Sequence, residues 1–259
     1  MATEKVWSES VMSGTDAKKR WNKRSTRFGD MEIPDKDDEY VSLILETSGD
    51  NLDKKNILDI GCGSGVWSLA LARDVHSVLG IDIADKIIDE ANKKAISESL
   101  NNVEYKVGDW RDLDLNLDNL KFDIVMAHMT PAINSDSDLI RMDAICDGYC
   151  YLTSSIGGES NLRRSIEEKF NIDLGRSRQA IPNAMRVLFE IGRKPLLRYE
   201  NRVNHKEETI EEVMSFYTDR VSSKGVSEED LKNHLNDISV DGVIKSEMKM
   251  TKVTLYWHA

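Results

Sequence analysis

The sequence predicts an α/β protein: a mostly parallel sheet, doubly wound, with helices on both faces. Three observations carry this. From Tyr40 to Phe170, short apolar runs alternate with stretches whose apolar residues recur every three or four positions, and such alternation implies right-handed crossovers between parallel strands. One run, "NILDI", passes directly into three glycines spaced two apart and then into a helical pattern. No repeat, low-complexity tract or Gly/Ser linker stands out, and Pro34, Pro131, Pro182 and Pro195 fall between candidate elements, as expected of one continuous domain with appendages.

Each element has its own signature. "YVSLILET" (40–47) reads as a helix, "NILDI" (56–60) as a buried strand, "SGVWSLALARDV" (64–75) as a helix and "SVLGIDI" (77–83) as the next strand. In "DKIIDEANKKAI" (85–96), Ile87, Ile88, Ala91 and Ala95 share one helix face, with Asp85 available as N-cap. "VEYKVGD" (103–109), the nearly all-apolar "FDIVMAH" (122–128) and "GYCYLTSSI" (148–156) are further strands, and the last leads into a helix with Leu162, Ile166 and Phe170 four apart.

The final third repeats helical spacing three times. Ile181, Met185, Leu188 and Phe189 mark one helix, and Ile210, Val213, Met214 and Tyr217 a second. Leu231, Leu235 and Ile238 mark a third, behind a Ser227 to Asp230 capping pattern. "SEMKMTKVTLYWHA" (246–259) suits a terminal strand. Met185, Phe189, Met214 and Trp257 read as core residues.

Composition narrows the function classes. At 259 residues, 40% hydrophobic and 31% charged, the chain can bury a sizeable core. No run approaches a membrane-spanning length, and "MATEKVWSES" lacks the layout of a secretory signal, so a cytoplasmic location is expected. Cys62, Cys146 and Cys150 are too few and too irregular for a disulfide framework, and C-x-x-x-C is not a zinc spacing; they read as reduced thiols, with no metal site. A net charge of −11 disfavours nonspecific nucleic-acid binding, although Lys18–Arg27 holds no acid and Arg163–Lys206 is rich in arginine. Such runs are usually solvated faces.

The glycines raise the chemical question. In open parallel sheets, ligands bind beyond the carboxyl ends of the strands, and a glycine turn after the first strand admits a ligand that side chains would exclude. A dinucleotide needs G-x-G-x-x-G. Here Gly61, Gly63 and Gly65 are followed by Val66 where the third dinucleotide glycine should stand, and its side chain obstructs close helix packing.

"LDIGCGSG" instead resembles motif I of the class I S-adenosylmethionine-dependent methyltransferases: an acid, any residue, then Gly-x-Gly-x-Gly. Asp82 in "VLGIDIADKII" stands where that family has an acid for the ribose hydroxyls. Asp109 in "YKVGDW" matches the acid that accepts from the adenine amino group, with Trp110 packing on the ring, and "FDIVMAH" matches the fourth strand, whose end faces the sulfonium. Upstream, "KKRWNKRSTRF" is similar to the Trp-x-x-Arg element of many small-molecule methyltransferases, which would make Trp21, Arg24 and Phe28 part of a lid.

The resemblance implies a Rossmann-like seven-stranded sheet with an antiparallel terminal strand. It also implies a helical lid over residues 1–39 and a methyltransferase domain over 40–259. The cofactor is S-adenosylmethionine, released as S-adenosylhomocysteine, with Trp21, Arg24, Asp59, Gly61, Cys62, Gly63, Gly65, Asp82, Ile83, Asp109, Trp110 and His128 as the binding set. Asp59 would act on the ammonium, directly or through water.

Methyl transfer is an in-line displacement, so the protein must align the acceptor and, where needed, take its proton. His128 titrates in the range suited to that base, or faces the cofactor without a proton role. "HMTPAINSDSD" does not match the Asn/Asp-Pro-Pro-aromatic motif of enzymes acting on nucleic-acid base amines. The upstream Trp-Arg element and the lack of an appended RNA- or DNA-binding module make a small molecule the expected acceptor, with no membrane partner and a monomeric or homodimeric state. RNA, protein or a non-catalytic role as partner subunit remain alternatives. Arg176, Arg178 and Arg186 are candidates for binding an acidic acceptor.

Overall fold

The computed structural model describes residues 7, 14–23, 25–112, 121–175 and 180–259. Three helices open the chain: α1 (Gly14–Asn22), α2 (Ser25–Gly29) and α3 (Glu39–Thr47). Asp38 caps α3 by accepting from the backbone N–H of Tyr40 at 2.8 Å, which satisfies a donor that the first helical turn leaves without a partner. There follow β1 (Asn56–Ile60), α4 (Val66–Ala72), β2 (Ser77–Asp82), α5 (Asp85–Ser97), β3 (Val103–Val107), β4 (Phe122–His128), α6 (Asp136–Ala144) and β5 (Cys146–Ser160). The chain then runs through α7 (Asn161–Phe170), α8 (Ala180–Glu190), β6 (Leu196–Thr209), α9 (Ile210–Ser222), α10 (Glu228–Ile238) and β7 (Val243–His258).

The seven strands form one mixed sheet in the order β3-β2-β1-β4-β5-β7-β6, with one antiparallel strand. β1 pairs in parallel with both β2 and β4, so the order reverses direction between β1 and β4. Ligands of doubly wound sheets bind at such a switch point. Asp59 lies opposite Gly80 on one side and Met126 on the other. Because side chains alternate along a strand, Asp59, Met126 and His128 share one face of the sheet. Tyr40, Ile44, Leu71, Ile57, Ile124 and Met126 close the core on that face.

By compactness the chain divides into two units. The first comprises residues 1–154, 179–198 and 253–259; the second comprises 155–178 and 199–252. β5, β6 and β7 each run from one into the other. The second unit has its own core, with Leu162 and Ile166 of α7, Val213 and Tyr217 of α9, Leu231 and Leu235 of α10, and Ile244 of β7. A capping box starts α9, where Thr209 accepts from Glu212 N and Glu212 accepts from Thr209 N.

Several local expectations need correcting. Asp85 is not the N-cap of α5: Ala84 is, without a side-chain bond, because Asp85 turns outward to Lys18 and Asn22. Pro182 falls within the first turn of α8 rather than between elements, where its missing N–H costs no helical bond. Phe189 is 59% exposed, since the buried face of α8 is Ile181, Ala184, Val187 and Leu188. Ile238 is likewise exposed, while His234 joins Leu231 and Leu235 inside. Trp257 is buried as expected, and Cys62, Cys146 and Cys150 are free buried thiols. None of the helices searched, which cover the described residues, is long and apolar enough to cross a membrane.

Candidate functional site

The site is built at four neighbouring strand tips. At the end of β1 the chain makes a turn through Gly61, Gly63 and Gly65, all at positive φ, a conformation that only glycine adopts cheaply. Two of the three are fixed by the protein's own packing. A side chain on Gly61 would begin 2.1 Å from Thr130 Oγ1, and one on Gly65 would begin 2.1 Å from the Tyr105 hydroxyl. Gly63 is different: its nearest neighbour is the Phe28 ring, at an ordinary 3.7 Å.

Asp82, at the tip of β2, accepts from the N–H of Gly63 at 3.0 Å and from the N–H of Ala84 at 2.9 Å. It thereby locks the glycine turn to the second strand. Its carboxyl sits above the usual range because burial outweighs those hydrogen bonds. Ile83, half-buried, occupies the bend between β2 and α5. Asp59 lies deeper, 2% exposed, and accepts from Ser68 Oγ at 2.6 Å. Burial pushes it up from 3.8 to about 7, Ser68 opposing the shift and the charge of Asp82 adding to it. The Cys62 thiol is raised by burial and then by the charges of Asp59 and Asp82, so it stays protonated and unreactive.

Asp109, just beyond β3, faces Arg111, whose backbone N–H and guanidinium both reach its carboxylate. Trp110 is 2% exposed, donates from Nε1 to the carbonyl of Ala132 at 3.0 Å, and carries the Arg141 guanidinium 5.4 Å above its ring. The indole is thus tucked beneath the loop that follows β4. At the tip of β4, the His128 ring lies 4.5 Å from that of Tyr40 and 4.4 Å from that of Trp67. The next residue, Met129, holds positive φ, an uncommon conformation for a non-glycine residue that is frequent at functional sites.

The N-terminal segment reaches the loops after these tips at two points. Trp7 donates from its backbone to Asn134 O and from Nε1 to Asp136. Lys18 and Asn22 of α1 bind Asp85 at 3.1 and 2.6 Å. Trp21 packs edge-to-face on Phe28 with ring centroids 6.0 Å apart. Arg24, Arg176 and Arg178 lie outside the described residues. Arg186 is held by Asp136 and Glu190, and Arg163, Arg164 and Arg193 are paired with Glu167, Glu159 and Asp143.

The strand order therefore brings Asp59, the glycine turn, Asp82, Asp109 and His128 to consecutive tips, with direct contact between Asp82 and Gly63. Trp110 turns toward the loop after β4, and Arg111 links Asp109 to it. Sequence reasoning did not single out Arg111, Thr130, Tyr105 or Tyr40. Their signal is tertiary: Thr130, Tyr105 and Tyr40 act on residues distant in the chain, and Arg111 ties its near neighbour Asp109 to the distant Asp138. The donor set suits a cationic ligand with a polar tail better than a pyrophosphate, because carboxylates flank the turn. Ser64 Oγ, inside that turn, is buried without a hydrogen-bond partner, as expected of an atom awaiting a ligand.

This fold and this row of acid-bearing strand tips resemble those of the Rossmann-like S-adenosylmethionine-dependent methyltransferases. Residues 57–143 match the family model described as a methyltransferase domain. A release factor glutamine methyltransferase of Aliivibrio fischeri is 30% identical over 123 residues, 46% of this chain and 43% of that protein. A ubiquinone biosynthesis O-methyltransferase of Leptothrix cholodnii is 38% identical over 66 residues, 26% of this chain and 28% of the relative. The chain thus spans less than half the length of either relative. A solved structure of a candidate methyltransferase from Bacillus halodurans shares the fold at a TM-score of 0.52, with 16% identity, over 85% of this chain and 98% of that one.

Proposed function

We propose that the protein is an S-adenosylmethionine-dependent methyltransferase acting on a small-molecule acceptor. The observation that carries the reading is the contact of Asp82 with Gly63 beside buried Asp59, at the switch point of the sheet. Bound there, the cofactor would supply an electrophilic methyl group on its sulfonium. Asp82 would accept from the ribose hydroxyls, Asp109 from the adenine amino group and Asp59 from the ammonium, while the turn at Gly63 gives the amino-acid end room. Trp21, Arg24 and Phe28 would belong to a lid over residues 1–39, with 40–259 as the methyltransferase domain, and His128 would take the acceptor's proton.

Two observations support a small acceptor. The N-terminal segment is anchored on both sides of the switch point, at Asp85 after β2 and at Asn134 and Asp136 after β4, which favours an enclosed site. The paired state of Arg163, Arg164, Arg186 and Arg193 removes much of the positive field a polyanion would need. The two relatives differ by their names, one a release factor glutamine methyltransferase and the other an O-methyltransferase of ubiquinone biosynthesis, so the choice rests on this chain's own geometry.

The test is incubation with methyl-labelled S-adenosylmethionine and either the dialysable or the macromolecular fraction of a cell extract. Label should enter the dialysable fraction. Label confined to RNA or protein would overturn the acceptor class, and loss of S-adenosylhomocysteine binding would overturn the whole reading.

A further inference from the structure

We propose that Arg111 is a positioning residue: its guanidinium sets the Asp109 carboxylate for an adenine amino group and ties that strand tip to the loop after β4. The inference rests on the cofactor reading above. Nη1 of Arg111 lies 3.1 Å from both oxygens of Asp109, and the Arg111 backbone N–H donates to Oδ1 at 3.0 Å. The rest of the fork is spent on the neighbouring loop. Nε and Nη2 grip the buried carboxylate of Asp138 at 2.6 and 3.0 Å, and Nη2 also donates to Ala132 O at 2.7 Å.

The same Ala132 carbonyl accepts from Trp110 Nε1. Asp138 further accepts from the N–H of Asn134 at 2.9 Å, and the Arg111 carbonyl accepts from Arg141 at 2.6 Å. One planar cation thus holds two carboxylates and a carbonyl in fixed directions. Lysine cannot do this, because its ammonium is a single point on a flexible stem. A carboxylate has about four acceptor positions, so Asp109 retains capacity for a ligand donor while its plane is set by Arg111. Without the guanidinium, Asp109 keeps only the single backbone bond to Oδ1, which does not fix the plane of its carboxylate, and Asp138 is left as a buried charge lacking its counterion.

The experiment is calorimetric titration of the full chain with S-adenosylhomocysteine and with S-inosylhomocysteine, in which a carbonyl replaces the amino group. The wild type should prefer the adenine ligand by about tenfold or more, the worth of one charge-assisted hydrogen bond. Arg111→Gln should erase most of that preference by weakening the adenine ligand and leaving the hypoxanthine ligand nearly unchanged. Arg111→Lys, which keeps the charge and guards against simple unfolding, should fall between. Equal weakening of both ligands would show a merely structural role and overturn the proposal, as would full preference retained in Arg111→Gln. A wild type that binds both compounds equally would also overturn it. A wild type that binds neither would overturn the cofactor reading itself, and the proposal with it.

Discussion

Asp59 shows how burial converts an acid into a proton-linked group. In the unfolded chain it releases its proton near 3.8, and in the folded chain near 7, with desolvation as the main cause. Between those values the folded state holds the extra proton, so stability falls as pH rises from about 4 to about 7, and the penalty is complete above that. Asp59→Asn should match the wild type near pH 4 and exceed it above pH 7, by at most about 4 kcal/mol, in urea titrations at the two pH values. On the proposed reading an ammonium binds beside this carboxylate, and the same proton must then leave. S-adenosylhomocysteine affinity should therefore climb between pH 6 and 8 in the wild type and stay flat in the Asn variant. Gly61 gives a second expectation. Alanine there combines a positive φ with overlap on Thr130, so Gly61→Ala should cost about 2–4 kcal/mol, part of it recovered in a Thr130→Ala background. The turn itself was legible in the glycine spacing. That two of the three glycines yield to Thr130 and Tyr105 was not, because those side chains arrive from β3 and from beyond β4.

The strands β1, β2 and β4 were legible because each reads as a largely buried apolar run, whereas β3, with no buried residue, was legible from its Val and Tyr. β6 was not. Of its fourteen residues Glu200 alone is buried, as befits the last strand of the sheet, so no alternation marks it. Long-range ties were equally invisible. Asp143, in the last turn of α6, accepts from Arg193 through both oxygens at 2.8 Å and from Trp257 Nε1 at 2.8 Å. It thereby joins α6, the turn after α8 and the end of β7. Asp143→Ala strips a buried indole donor of its acceptor and should cost about 1–3 kcal/mol in chemical denaturation, while Asp143→Asn keeps one acceptor and should cost less. The contact of α1 with α5 is of another kind, since Lys18, Asn22 and Asp85 meet near the surface. Asp85→Ala should leave the unfolding midpoint nearly unmoved and speed amide exchange across α1, because exposed pairs hold local rather than global structure.

The two compact units have no sequence border because β5, β6 and β7 run unbroken through both; a division inside continuous strands leaves no linker composition to read. What composition does give is the sign of the field. The chain carries −11 charges, and four arginines of its most basic stretch are neutralised within the protein. A polyanionic acceptor gripped through six to ten phosphates would lose about 10³ to 10⁵ in affinity between 50 and 200 mM salt, through counterion release. A small acceptor in a closed site has few counterions to release. Methyl transfer to the dialysable extract fraction should therefore change by no more than about twofold across that range, the scale of ordinary screening. Labelled S-adenosylmethionine, followed at four salt concentrations with substrate below saturation, measures the slope directly. A steep negative slope would place a polyanion in the acceptor site and remove the small-molecule reading, while leaving the adenosine-binding roles proposed for Asp82 and Asp109 untouched.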